Sequence, residues 1–223
     1  MTTVLFTKDH VYCDTQVTRC NDVASLDCIK FFPLSDGSIA YGAGSLSEIV
    51  ASVAMYEGVD RKLPIEQYIG GGGTTLVIVK PDGFIERFKP KRESKRTSDG
   101  MGGSKQRHPM LFWKGSDPFV CIGSGRPHVD AHYTYVNHNP KQAMMNAAKR
   151  DTGTGDRMFK LPRRWKEGES VDIEFYDGFT RAGKYRKPIT INLKFPKDAN
   201  WVYDVLTGQR DLYPINLKEI IGA

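Results

Sequence analysis

The first two residues are the place where residue type alone suggests chemistry. Met1 is followed by Thr2, which is small enough to permit removal of the initiator methionine by the ordinary cytosolic aminopeptidase. The chain would then begin with a threonine whose hydroxyl can attack a carbonyl. Its α-amine, with an ordinary pKa of about 7.7–8.0, can accept the proton. Many proteins begin with Met-Thr, so an ordinary start without function is the alternative for this dipeptide taken alone.

Four further polar residues stand in positions that could support such a nucleophile, but each also has an ordinary interpretation. Asp14 ends a β-type run, where acidic turn residues are common. Lys30 lies in a strand-like segment whose alternation also permits a side chain that points into water. Ser124 lies between two glycines, as loop residues do, and Asp151 precedes a glycine-containing turn typical of a helix C-terminus. Taken singly, these residues carry no functional conclusion.

Short β-type runs and one helix signal organise the first part of the chain. Val4–Phe6 and Val11–Cys13 are predicted to form an opening hairpin, and Cys28–Pro33 and Ile39–Gly44 are predicted to be further strands. A helix is predicted to begin at the cap residue Ser45. Its buried face is predicted from apolar residues at helical spacing: Leu46, Ile49, Val50, Val53 and Ala54.

The order of elements in the rest of the chain decides the fold class. The same patterns predict strands at Thr74–Val79, Phe84–Phe88, Phe119–Gly123, Val171–Tyr176 and Ile189–Phe195, and helices that follow Pro127 and run from Pro140 through Ala148. Strands, then helices, then strands again differ from the βαβα alternation of a parallel doubly wound sheet. The order fits an α+β protein in which antiparallel sheets are covered by helices.

Length and composition favour one globular domain that spans residues 1–223. The chain is 39% hydrophobic, which is enough for a core. No run approaches the roughly 18 apolar residues of a membrane helix, so no membrane partner is expected. The N-terminus lacks the basic and apolar regions of a secretory signal, so the expected location is the cytoplasm.

The net charge of +6 is concentrated in one segment. Residues 89–107 carry seven basic and two acidic residues, so the remainder of the chain is nearly neutral. The stretch 89–109 is polar and without periodicity, which predicts an exposed, mobile, basic loop. It contains no aromatic residue between Lys89 and Arg107 on which bases could stack. The loop could grip nucleic acid through phosphates, or it could be only a solvated surface loop.

Two glycine-rich segments resemble parts of nucleotide-binding loops without completing them. Gly42-Ala43-Gly44 follows a strand, but Ser47 stands where a dinucleotide loop has its third glycine, and no βαβ unit surrounds it. Gly70–Gly73 lacks the lysine of a phosphate-binding P-loop and is expected to be a flexible joint. Neither segment predicts a nucleotide cofactor.

Metal binding is not expected either. The cysteines at 13, 20, 28 and 121 form no C-x-x-C pair, so they are predicted to be small buried hydrophobic residues. His128 and His132 could share a helix face near Asp130, but no third ligand of a suitable type follows. The sequence therefore calls for no metal and no organic cofactor.

Six short motifs, in one order, carry a resemblance to a known family. They are Thr2-Thr3-Val4, Asp14-Thr15-Gln16-Val17-Thr18, Lys30, Ile39-Ala40-Tyr41-Gly42-Ala43-Gly44, Ile122-Gly123-Ser124-Gly125 and Arg150-Asp151-Thr152-Gly153-Thr154-Gly155. Together they resemble the proteasome β-subunit family, especially its bacterial branch, the HslV peptidase. The resemblance covers residues 2–57, 74–88 and 117–156, about half of the chain. It implies an αββα four-layer fold of the N-terminal-nucleophile hydrolase type.

The resemblance also implies a role for each matching residue. Thr2 would be the nucleophile, Lys30 the cation beside it, and Asp14 the carboxylate that orients Lys30. Gly44 would present its backbone N–H to the oxyanion. Three residues would surround the terminal amine with hydrogen bonds: Ser124, Asp151 and Thr154. The implied substrate is a peptide or an unfolded protein, cleaved in a self-compartmentalising homo-oligomer that an ATP-dependent unfoldase could feed.

The chain departs from the family pattern in several places. Thr154 replaces the usual serine but keeps the hydroxyl, and the second family helix is replaced by Pro64–Gly73. The basic insert at 89–109 and a β-rich C-terminal extension from about residue 158 are additions. Divergence of this kind resembles family members carried by tailed bacteriophages. The alternative is a catalytically silent protein of the same fold whose basic loop contacts nucleic acid or a host protein.

Overall fold

The computed structural model describes residues 2–19, 22–26, 28–59, 74–95, 103–115 and 120–206. The strands are β1 (Thr3–Phe6), β2 (His10–Asp14), β3 (Val17–Arg19), β4 (Asp22–Ser25), β5 (Phe31–Pro33), β6 (Ile39–Ala43), β7 (Thr75–Val79), β8 (Ile85–Lys95), β9 (Gly103–Gly115), β10 (Val120–Gly123), β11 (Met158–Pro162), β12 (Val171–Tyr176) and β13 (Ile189–Leu193). The helices are α1 (Leu46–Tyr56), α2 (Arg126–Tyr135), α3 (Pro140–Arg150) and α4 (Asn200–Leu206).

The strands form two large antiparallel sheets. One has six strands in the order β10-β1-β2-β11-β12-β13, and the other has five in the order β5-β6-β7-β8-β9. Strands β3 and β4 pair separately as a short hairpin. Mixed helices and antiparallel sheets confirm the predicted α+β class.

An apolar core lies between the two large sheets. Phe6 of the six-stranded sheet meets Tyr41 of the five-stranded sheet edge to face, with ring centroids 5.4 Å apart. Phe31 and Phe159 form a second such contact across the sheets at 5.1 Å. Edge-to-face aromatic pairs stabilise a core beyond the burial of their surface. These contacts fix how the ends of the two sheets lie against each other.

Helices cover the outer faces of both sheets. Leu5 points away from the inter-sheet core and packs with residues of α2 and α3, including Val129 and Met144. On the other sheet, Leu76 packs with residues of α1 and α4, including Ile49. Because the strands are buried on both faces, they are near-continuous apolar runs in the sequence, as in Val4-Leu5-Phe6.

Most predicted elements are present, with boundaries that shift by a few residues. The elements that the sequence did not predict are β3, β4, β9, β11 and α4. Ser45 is the N-cap of α1, as predicted, but its side chain makes no capping hydrogen bond. Gly70–Gly73 lies outside the described residues. None of the helices α1 to α4 of the described residues combines the length and the apolar composition of a membrane-spanning segment.

The segment from residue 158 is not an appended extension. Strand β11 lies between β2 and β12, so the segment supplies half of the six-stranded sheet. Lys160 and Pro162 weaken the strand signal of β11 in the sequence. In the fold, Lys160 lies opposite Glu174 of β12, and the two side chains form an ion pair at 2.8 Å. The Glu174 carboxylate thus compensates the charge of Lys160 that weakens the apolar strand pattern.

The prediction of a loop at 89–109 was wrong for most of the segment. Strand β8 continues to Lys95 and pairs with β9 from Gly103 onward, with Lys91 opposite Arg107. The pairing depends on backbone hydrogen bonds, which need no apolar side chains. A polar hairpin therefore leaves no hydrophobic periodicity in the sequence. Residues 96–102 between the two strands lie outside the described residues.

Gly42 is required where α1 packs on β6. A Cβ at Gly42 would lie 2.3 Å from Cγ2 of Ile49. We predict that Gly42→Ala lowers the free energy of unfolding in urea by about 1–3 kcal/mol, because the added methyl group overpacks this contact. In the double variant with Ile49→Ala the loss should be smaller than the sum of the two single losses. Additive losses would show that the contact between residue 42 and Ile49 does not cause the destabilisation by Gly42→Ala.

Candidate functional site

The predicted site residues other than Gly44 meet at one end of the two facing sheets. Thr2 directly precedes β1, and Asp14 is the last residue of β2. Because Val4 is the register partner of Cys13, Thr3 lies beside Asp14. Lys30 directly precedes β5 of the other sheet, and its carbonyl accepts the N–H of Gly42 at 3.3 Å. The end of β2 and the start of β5, which belong to different sheets, therefore bring distant parts of the sequence together.

The Asp14 carboxylate is the centre of this arrangement. It is completely buried and accepts hydrogen bonds from three backbone N–H groups: Thr3 at 2.8 Å, Gln16 at 3.3 Å and Gly155 at 3.1 Å. Both oxygens also face the Lys30 ammonium, at 3.1 and 3.3 Å. Each oxygen of the buried carboxylate therefore has partners, which offset the loss of water.

Lys30 is equally enclosed, with 2% of its side chain exposed. Besides Asp14, its ammonium donates to the backbone carbonyl of Gln16. Lys30 therefore points into the protein, and the alternative of a water-facing side chain is excluded. A buried charge pair of this kind is costly to break, because removal of one partner leaves the other charge uncompensated.

The backbone of Thr2 is fixed on the side opposite Asp14. The Thr2 carbonyl accepts the N–H of Ser124 at 3.2 Å, and Thr3 is the register partner of Gly123. A Cβ at Gly123 would lie 1.5 Å from the Thr2 oxygen, so no other residue fits there. The Thr2 residue is 3% exposed in this structure. The peptide group between Thr2 and Thr3 is thus held at both ends, with its N–H on Asp14 and its carbonyl on Ser124.

A second hydrogen-bond network surrounds Asp151. The hydroxyls of Ser124 and Thr154 both donate to Asp151 Oδ2, at 2.7 and 2.5 Å, and the N–H of Gly153 donates to Oδ1. The Thr154 hydroxyl has one proton and gives it to Asp151, so in its 2.6 Å contact with Thr3 the Thr3 hydroxyl must be the donor. The three predicted residues of the supporting set therefore form one network, in which Ser124 and Thr154 both contact Asp151.

The network holds the Asp151 carboxylate in its charged form. Burial alone raises the pKa of Asp151, but the hydrogen bonds from Thr154, Ser124 and the N–H of Gly153 outweigh burial, with help from the nearby His128. The pKa of Asp151 therefore lies below its ordinary value. The Asp151 carboxylate and its two hydroxyl partners therefore lie beside Thr3, the residue that follows Thr2.

Gly44 lies just beyond β6, in a conformation that favours glycine. Its φ is +123°, and a Cβ there would lie 2.6 Å from the hydroxyl oxygen of Thr74. That hydroxyl accepts the N–H of Ser45 at 3.2 Å and donates to the buried carboxylate of Glu48. The turn after β6 is thus fastened to the start of β7 and to the first turn of α1.

Several residues that build the site were missed because they act through backbone groups. The N–H of Gly125 donates to the Thr3 hydroxyl at 3.0 Å, and a Cβ at Gly125 would lie 2.4 Å from that oxygen. Gln16 supplies both a backbone N–H and a carbonyl to the Asp14–Lys30 pair. Gly155 supplies an N–H to Asp14. All lie inside the six motifs, so the motifs already contained the signal.

The cysteines and histidines of the described residues form no metal site. The predicted burial is confirmed for Cys13, Cys28 and Cys121, and burial raises the pKa of the Cys13 and Cys121 thiols. Cys20 lies outside the described residues. Within the ranges that the structure describes, no three His, Cys, Asp or Glu side chains come together as metal ligands do.

Comparison with known proteins does not place the chain in a family. No family model matches the sequence, and no curated protein matches it.

We predict that Lys30→Met lowers the free energy of unfolding by about 3–5 kcal/mol, because it leaves the Asp14 charge buried and uncompensated. Asp14→Asn combined with Lys30→Met should lose less than the two single variants together. Lys160→Met removes a pair with Glu174 that is partly exposed, at 16% and 33%, and should cost about 1 kcal/mol or less. Urea denaturation measures these four variants against the natural chain. Equal losses for Lys30→Met and Lys160→Met would contradict the conclusion that the Lys30–Asp14 pair is buried and costly to break.

We predict that Asp151→Asn is less stable than the natural chain at pH 7 and that the difference disappears in acid. A carboxylate whose pKa is lowered by folding stabilises the fold above its unfolded pKa of about 3.9, and the contribution is lost as the pH falls through the folded pKa. Urea denaturation between pH 7 and pH 3 measures the difference. The exposed Asp172→Asn is the control, and a gap for Asp151→Asn that does not change with pH would contradict the prediction.

Proposed function

We propose that the chain is a threonine peptidase, an N-terminal-nucleophile hydrolase that resembles the proteasome β-subunit and HslV. The observation that carries this proposal is that two polar networks hold the Thr2–Thr3 segment from opposite sides. Asp14, paired with Lys30, accepts the N–H of Thr3. The Ser124–Asp151–Thr154 network contacts the Thr2 carbonyl and the Thr3 hydroxyl. These are the residue types that attack by a terminal threonine requires. They come from four separate stretches of sequence, which makes a coincidental grouping a poor explanation.

The proposed reaction begins after removal of Met1. The α-amine of Thr2 takes the proton of its own hydroxyl, and the hydroxyl oxygen attacks the carbonyl carbon of a peptide bond. Collapse of the tetrahedral intermediate breaks the C–N bond, and the amine of Thr2 returns the proton to the leaving amine. Water then attacks the ester formed on Thr2, with the amine again as base, and releases the acid product. No metal or organic cofactor takes part in this sequence.

Lys30 and Asp14 would tune the protonation of Thr2. A positive charge near the terminal amine disfavours a second positive charge, so part of the amine stays neutral and can act as base. Asp14 fixes the Lys30 ammonium in place, because it contacts both the ammonium and the N–H of Thr3. On the other side, Ser124, Asp151 and Thr154 would orient the new terminus through hydrogen bonds.

Gly44 would stabilise the oxyanion through its backbone N–H. The absence of a side chain lets a substrate backbone approach closely, and fastening by Thr74 holds the turn in one conformation. Preorganised N–H donors of this kind lower the barrier to acyl transfer because they need not reorient during the reaction.

The finer fold assignment belongs to the same proposal. Two facing antiparallel sheets with helices on both outer faces support an αββα arrangement of the N-terminal-nucleophile type. On this proposal the chain works in the cytoplasm, as a homo-oligomer that encloses peptide or unfolded protein substrates. An ATP-dependent unfoldase is a further proposed partner, and a tailed bacteriophage is a proposed source.

A catalytically silent scaffold is the second candidate, and the burial of Thr2 favours it. In the chain that carries Met1, Thr2 is 3% exposed, so a substrate carbonyl has no access to the hydroxyl. The paired strands β8 and β9 form a basic ribbon, and a two-stranded ribbon fits the major groove of DNA. On this proposal the ribbon would bind nucleic acid or a host protein.

We predict that purified chain lacks Met1 by intact mass and that a β-lactone or epoxyketone probe labels Thr2. Thr2→Ala should abolish labelling and lower the hydrolysis of fluorogenic peptides at least about a thousandfold, since it removes the nucleophile. Thr2→Ser keeps a hydroxyl beside the amine and should retain labelling. The exposed Thr152→Ala is the matched control.

The two candidate functions give opposite results in these assays. Retained Met1, or labelling that persists in Thr2→Ala, would overturn the peptidase proposal. The scaffold proposal would then require DNA or partner binding that depends on residues 89–107. Sedimentation of the same samples determines whether the active species is a homo-oligomer.

A further inference from the structure

A second polar site lies away from Thr2, between helix α3 and the loop that joins β12 to β13. A cavity of about 370 Å³ opens there, in the size range of small-ligand sites. Lys141 and Met145 of α3 form one wall, and the loop segment 183–188 forms another. Tyr176, at the end of β12, also lines it.

The charge around this cavity is of one sign. Four of the residues that line it are basic and none is acidic, and the basic residues are Lys141, Lys184, Arg186 and Lys187. Lys149 adds a fifth cation at the rim, because a Cβ on Gly183 would lie 4.0 Å from its ammonium. Like charges gathered in one place repel one another, so the arrangement favours an anion among them.

Three carboxylates lie near the cavity, and two of them are engaged with cations outside it; the third, Asp156, lies beside Gly178 and near Tyr185. Glu174 pairs with Lys160 at 2.8 Å and accepts the hydroxyl of Tyr176. Asp177 pairs with Arg157 at 2.7 Å and lies 3.8 Å from Arg186. Lys184 and Lys187 form no ion pair with any residue in the described ranges. The five cations around the cavity therefore outnumber the three carboxylates near it, Glu174, Asp177 and Asp156.

The loop holds its cations on a rigid base. Tyr185 packs against Phe179 and Tyr176, with ring centroids 4.7 and 5.5 Å apart. The loop closes on itself through Thr180 N–H to Lys184 carbonyl, at 2.7 Å. Because the backbone is held in place, an anion that binds there need order only the exposed side chains of Lys184, Arg186 and Lys187.

Helix α3 contributes a partly desolvated lysine. The Lys141 ammonium donates to the Tyr176 hydroxyl at 2.5 Å and lies 4.4 Å from the centre of that ring. Burial lowers the pKa of Lys141; Glu174 opposes the shift and Lys160 adds to it. Lys141 is in the first turn of an eleven-residue helix, where the helix dipole also favours negative charge.

From these contacts we infer that the cavity binds a compact phosphate anion, either free pyrophosphate or the polyphosphate end of a nucleotide. Lysine ammoniums are compact point charges that bind phosphate well. A dense anion can reach several of them within one cavity. An extended acidic peptide would instead spread its same-face carboxylates about 7 Å apart. Met145, Tyr185 and Pro188 offer an apolar wall for an attached nucleoside.

The test is calorimetric titration of the full chain with sodium pyrophosphate, ADP and a tetraglutamate peptide at low salt. Pyrophosphate or ADP should bind saturably at one site. Lys184→Ala with Lys187→Ala should weaken that binding at least tenfold. The matched control is Lys194→Ala with Lys197→Ala, which removes the same charge from exposed positions after β13. Lys194 lies about 20 Å along the strand from Pro188, so the control should bind within twofold of the natural chain.

Each outcome decides the inference. Tighter binding of ADP than of pyrophosphate assigns the site to nucleotides, and equal binding assigns it to the free anion. Equal weakening in both double variants, tighter binding of tetraglutamate, or no saturable binding would overturn the inference. The measurement is independent of peptide hydrolysis, so it stands or falls separately from the proposed peptidase activity.

Discussion

The buried contact between Lys30 and Asp14 joins the two sheets at the end where the chain begins. Asp14 terminates β2 of one sheet and Lys30 precedes β5 of the other, so the ion pair ties the sheets together beside Thr3. Burial of two charges is unfavourable unless each has further polar partners. Here those partners are backbone groups of Thr3, Gln16 and Gly155, so the local path of three chain segments follows from one electrostatic requirement.

The second carboxylate works in the same way on the other side of the first residues. Asp151 gathers hydroxyl and backbone donors from the loop after β10 and the turn after α3. The Thr3 hydroxyl links this network to β1, while the Thr3 N–H belongs to the Asp14 network. Thr3 therefore lies between the networks of the Asp14 and Asp151 carboxylates, and both networks also fix the position of Thr2.

The sequence predicted the polar side chains of this site better than it predicted the fold around them. Asp14, Lys30, Ser124, Asp151 and Thr154 were identified from short motifs. The structure brings them into two groups, Asp14 with Lys30 and Asp151 with Ser124 and Thr154, which Thr3 joins. Gly123 and Gly125 were not assigned roles, because close approach depends on which strands are neighbours. Strand β11 was missed for a related reason: Lys160 weakens its apolar pattern, and its partner Glu174 is known only once the strands are paired.

The arrangement bears on how much change activation would require. The Thr2 carbonyl is held by Ser124 and the next N–H by Asp14, in a chain that still carries Met1. On the proposed mechanism, removal of Met1 would create the α-amine of Thr2 while Ser124 and Asp14 keep their contacts with the Thr2–Thr3 peptide. Such preorganisation matters because small displacements of a nucleophile cost large factors in rate. The glycines that permit these close contacts would then constrain the site as strictly as the residues that react.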